Sequence, residues 1–154
     1  KMIRQIQAFL ISLLIATFLL VTHTTATNLV WLSSIGMPVD LAVSVSALVT
    51  DLAGMNSRGE FPAFGLIFVG LLIAFITARI ISIWSSLKKP YLYALAGGAA
   101  MLAIVILMPL AFYHLDIIAG ARTLAGKVYL TCAGVVAGYY FGSHPQPGDS
   151  NEKH

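Results

Sequence analysis

Charge is what this chain has least of. Only 10% of its 154 residues are charged, 58% are hydrophobic, and the mean hydropathy is +0.88. Soluble domains hold roughly 25% charged and 45–50% apolar residues, so an ordinary water-soluble globule is excluded. Cysteine is nearly absent. Cys132 stands alone in an apolar run, which rules out an intramolecular disulfide and any cysteine-based metal motif. Such a residue is most simply a small hydrophobe. Basic clusters are missing too: the net charge is +3, yet Lys88-Lys89 is the one adjacent basic pair, so no nucleic acid is expected as a partner. The chain has no G-x-S-x-G, no H-E-x-x-H and no P-loop, and Ser12, Ser33, Ser34 and Ser82 have no base at a telling spacing. The reading leans away from an enzyme, although a site assembled from separate spans would leave no such signature.

What the chain does have is long apolar runs. Four of them suit membrane helices of about 20 residues: residues 6–24, 63–84, 91–113 and 118–141. The predicted fold is an all-α integral membrane protein, a four-transmembrane-helix bundle of residues 1–142 set in the lipid bilayer. Residues 143–154, with two prolines, read as a disordered cytoplasmic tail. Met2 is the expected natural start. The first run also suits a secretory signal peptide, with basic residues before it and small ones near Ala26. A retained span is preferred, because a helix can continue through the uncharged Thr24, Thr25 and Thr27.

The stretch between the first two runs holds His23, Asp40, Asp51 and Glu60. A further span over residues 29–50 is opposed by Pro38 and Asp40 near its centre, where a charge costs about 2.5–3.5 kcal/mol. The expectation is a short apolar lead over 29–36, a break at Pro38, and an interfacial or re-entrant helix over about 39–53 that Gly54 ends. Leu41, Val45, Leu48, Leu52 and Met55 recur at helical spacing on one face, and Asp40, Ser44 and Asp51 share another. Lys1, Arg4, Arg79, Lys88, Lys89 and Lys153 fall on one side of the four spans, and Arg58, Arg122 and Lys127 on the other. The positive-inside rule then places both termini in the cytoplasm. Compact loops point to a bacterial inner membrane.

The outer side is expected to gather His23, Asp40, Asp51, Arg58, Glu60, His114, Asp116 and Arg122 into a polar, mainly acidic mouth. Spans one and three end in His23 and His114 at similar depth. With Asp116 they form a candidate metal set, zinc for example, and the histidine pair alone suits a b-type haem. A plainer reading makes each histidine a marker of the membrane–water boundary and the charges structural ion pairs. Gly134, Gly138 and Gly142 recur every fourth residue beside Ala133 and Ala137. They cut a smooth groove for a close-packed helix of the same chain, of a second copy in a homo-oligomer, or of a partner membrane protein.

The claudin-like proteins share this length and a long first outer loop, and residues 28–32 faintly resemble their loop signature, but their cysteine pair is absent. The membrane glutathione-transferase-like proteins also fit four spans into this length, yet their arginine, asparagine and glutamate pattern is missing from span two. No family is assigned. Three roles stay open: a module for transport or ion passage, a metal- or haem-bearing protein, and a scaffold or assembly factor with no small-molecule site.

Overall fold

The structure, a computed structural model, describes residues 2–57, 63–111 and 121–144, with side chains at 2–54, 64–107 and 121–144. The described chain forms five helices: α1 (Met2–Ser34), α2 (Leu41–Ser57), α3 (Ala63–Ile81), α4 (Lys89–Ala111) and α5 (Leu124–Gly142). Three are long and apolar enough to cross a membrane: α1, Phe64–Ile81 of α3, and Lys89–Leu107 of α4.

The first correction is to α1. A span ending near residue 24 was expected, yet 33 residues form one helix, about 50 Å long at 1.5 Å per residue. No proline or glycine lies between Met2 and Ser34, so the backbone has no reason to stop at the threonines. Residues 29–34 are therefore the last turns of α1, not a lead into α2. The helix ends where Gly36 takes φ +82°. Its N–H donates to Ser33 O at 3.1 Å, and Met37 N–H to Leu32 O at 3.2 Å, the paired bonds of a Schellman cap. Pro38 then prevents helix from resuming at once.

Asp40 starts α2. Its Oδ1 accepts from Val43 N–H at 2.8 Å, an N-cap that satisfies a donor left free at a helix start. Gly54 was expected to end this helix, but α2 runs through it to Ser57. The facing is rotated. Leu48 and Leu52 of the expected packing face do turn inward and pack on the core, but Leu41 and Val45 of that face are exposed, and Ser44, Ala47 and Asp51 turn inward instead. The reason is Asp51, whose carboxylate finds a donor on α1, leaving branched apolar side chains to face out.

The four longer bundle helices alternate in direction. Gly97 lies against Gly134, Tyr93 against Gly138, and Pro90 against Gly142, so α4 and α5 run antiparallel over this stretch. A Cβ on Gly134 would meet Gly97 O, and one on Gly138 would meet Tyr93 O, so only glycine lets these backbones approach so closely. The glycine face of α5 is thus filled within the chain, not held open for a second copy. Ser12 Oγ donates to Ala137 O at 2.7 Å, and Phe9 and Phe141 pack edge to face, which sets α1 antiparallel to α5. Phe75 against Tyr93, and Gly70 against Ile104, set α3 antiparallel to α4. The core is apolar, with Leu13, Leu20, Ile67, Leu71, Met101 and Leu130 fully enclosed. The outside is apolar as well: Leu14, Ile73 and Leu95 are each 60–63% exposed.

Two further helix ends differ from expectation. The second span was predicted to reach residue 84, but α3 stops at Ile81 and Trp84 stands in the following turn. The fourth was predicted to begin near 118, but α5 begins at Leu124 behind Thr123, whose Oγ1 accepts from Gly126 N–H at 3.0 Å.

Candidate functional site

Threonine in a membrane-type helix usually turns its hydroxyl back onto the carbonyl four residues earlier. Thr27, Thr77 and Thr131 do so, onto His23, Ile73 and Lys127, each at 2.8 Å. Thr25 does not. Its Oγ1 donates to Asp51 Oδ2 at 2.7 Å, tying α1 to α2. This bond takes a carboxylate out of full contact with solvent, and a hydrogen bond to a charged group is worth about 1.5–3 kcal/mol.

Beside that clasp lie polar atoms with nothing to bond. Thr17 Oγ1, Thr22 Oγ1, Thr24 Oγ1 and His23 Nδ1 are all buried and unpartnered among the described residues. Thr17 and Thr24 are seven residues apart and so share one side of α1; both are 4% exposed. From Thr24 down to Thr17 the unpartnered groups cover about 10 Å of helix. Each buried polar atom left unsatisfied costs about 1–3 kcal/mol, and native proteins meet such a demand with ordered water or an ion.

His23 faces another way. Its ring stacks on Tyr129 of α5, with centroids 4.4 Å apart and planes 24° from parallel. Two residues on a helix turn it by about 200°, so His23 looks to α5 while Thr25 looks to α2. His23 and Asp51 sit at one level but on opposite flanks of α1, and they do not form a joint ligand set. Among the described residues no group of three or more His, Cys, Asp and Glu side chains could hold a metal.

The other expected members of the mouth divide as follows. Asp40 is exposed and committed to capping α2. Arg122 is exposed and stands just before α5, not in its first turn. Arg58, Glu60, His114 and Asp116 lie outside the described residues, so the histidine pair and its carboxylate are not brought together by anything described. Thr17, Thr22, Thr24, Thr25 and Tyr129 were not singled out from sequence. The signal for three of them was present: Thr22, Thr24 and Thr25, with Thr27 beside them, crowd one apolar helix, where hydroxyls have few other uses. Comparison with protein-family models, curated proteins and solved structures gives no match to this chain.

Proposed function

We propose that the chain is a four-span membrane protein whose Thr25–Asp51 end admits water and a small cation or proton, and that it takes part in transport or ion passage. Two features support α5 as the fourth span. It packs antiparallel along α4, a helix of membrane length, and so lies at the same depth. Its outer side bears Val128 and Val136, both exposed, and a surface of this kind suits hydrocarbon better than water. The single observation behind the transport reading is the pair of buried, unpartnered hydroxyls of Thr17 and Thr24 on one side of α1, next to Thr25 and the carboxylate it draws in. Ionisable groups inside membrane helices are costly and mark ion or proton paths. The positive-inside rule places this end on the outer face.

The test combines access and flux. In a Cys132→Ala background, Thr24→Cys and Thr17→Cys are treated with small cationic thiosulfonates from the Asp51 side of reconstituted vesicles. Both should react, Thr24→Cys faster, and Asp51→Asn should lower cation or proton flux at least tenfold. Unreactive cysteines together with unchanged flux in Asp51→Asn would sink the proposal.

A further inference from the structure

The bundle end remote from Asp51 carries a different feature. Between α1 and α3 a cleft of about 390 Å³ opens sideways. Phe9, Phe68, Phe75, Tyr93 and Phe141 line it, and the exposed Leu72 and Ile76 edge it. Its aromatic wall is braced: Phe75 stacks on Phe141 at 4.5 Å, Phe9 meets Phe68 edge-on at 5.4 Å, and Tyr93 meets Phe141 at 5.1 Å. Rings held by several neighbours do not easily collapse into the space.

Its dimensions select an occupant. Phe68 and Arg79 bound the cleft along α3, and eleven residues rise about 16 Å. Half of a hydrocarbon core of about 30 Å is nearly the same length. An apolar cavity of 150 Å³ holds benzene, so by the same ratio this one holds roughly fifteen carbons. That is one acyl chain; a helix about 10 Å across does not fit. Arg79 lines the cleft one turn beyond Phe75, in the last turn of α3. It is exposed and has no carboxylate partner among the described residues. Lys88 and Lys89, at the start of α4, make the same end of the bundle positive.

We infer that this cleft holds one acyl chain of an anionic phospholipid from the adjoining leaflet, with the lipid phosphate held at Arg79. Length and volume suit the chain, and the guanidinium gives a charge-assisted, two-pronged contact to phosphate. The inference rests on the membrane-embedded bundle and not on cation passage at Asp51.

Native mass spectrometry of the full chain, delipidated and titrated with phosphatidylglycerol or phosphatidylcholine of identical chains, tests it. One phosphatidylglycerol per chain should survive desolvation, retained about fivefold better than phosphatidylcholine. Arg79→Gln should remove that preference and Arg79→Lys keep most of it. Ile76→Trp, which fills the cleft from its edge, should abolish retention of both lipids while helix content by circular dichroism stays unchanged. Retention of no lipid by the wild type, an undiminished preference in Arg79→Gln, or full retention in a folded Ile76→Trp would each overturn the assignment. Because the readout is bound mass, a loss of flux at the Asp51 end leaves this result untouched.

Discussion

Gly138 and Gly54 carry the same hydrogen for a side chain, and the two call for opposite predictions. A methyl at Gly138 runs into the carbonyl of Tyr93 and lies close to the backbone of Ala94, where no flexible side chain can give way. Gly138→Ala should therefore lower stability by about 1–3 kcal/mol, the usual range for overpacking. At Gly54 a Cβ meets nothing within 4 Å, and α2 continues past it. Gly54→Ala should raise stability by up to about 1 kcal/mol, because glycine inside a helix loses more backbone entropy on folding. Thermal melting in one detergent, with both variants side by side, checks the contrast. Asp40 gives a third residue-level expectation. Asp40→Ala should cost about 1 kcal/mol through loss of the cap, Asp40→Asn should cost little, and neither should change flux. A flux defect in Asp40→Asn would restore this residue to the functional set. The glycine repeat was legible in the sequence because spacing alone places it on one face. The role of Asp40 was less so, since a carboxylate after a proline suits a cap and a charged mouth equally.

Helices show where hydropathy stops being informative. The threonines after Val21 looked like the edge of a span, because hydroxyls are tolerated at the membrane boundary. In the structure Thr24 and Thr25 are buried, and one of them holds a second helix. The facing of α2 showed only in part for the same reason: an apolar stripe ordinarily marks the packed side, as it does at Leu48 and Leu52, but in an apolar solvent it can equally mark the outside, as at Leu41 and Val45. The Thr25–Asp51 contact is measurable as a double-mutant cycle. Thr25→Val and Asp51→Asn should couple by about 1 kcal/mol, between the 0.6 typical of hydrogen bonds between membrane helices and the range for charged acceptors. A coupling near zero would mean that α2 is held by Leu48 and Leu52 alone. The metal set drawn from His23, His114 and Asp116 depended on depth, which sequence conveys, and on which flank of a helix each residue occupies, which it conveys only when the neighbours are known.

For the molecule as a whole, composition and run lengths carried the helical class and three membrane-length helices, whereas the pairing of helices was not readable. Nothing in hydropathy says that α5 lies between α1 and α4. The proposed fourth span has a natural reporter. Cys132 is midway along α5 and exposed, so in a bilayer its surroundings should be acyl chains. A membrane-impermeant maleimide should leave it unmodified in sealed vesicles from either side and modify it fully after detergent is added. Immediate labelling would place α5 in water. With Cys132 replaced by alanine, Ile35→Cys and Ser86→Cys should label from opposite sides, as alternating helices require.

The length of α1 has a mechanical consequence. The bond from Ser12 to Ala137 fastens this unbroken rod to α5 close to one of its ends. Phe9 lies about 5 Å along the axis from that pivot, and Thr25 about 20 Å away on the other side. A tilt about Ser12, resisted by the His23–Tyr129 stack and the Thr25–Asp51 bond, would be magnified roughly fourfold between the aromatic cleft and the Asp51 clasp. A tilt of about 5° carries Ser34, some 33 Å from the pivot, through about 3 Å. In the proposed bilayer, α1 would be a lever with a short arm in one leaflet and a long arm reaching past the other.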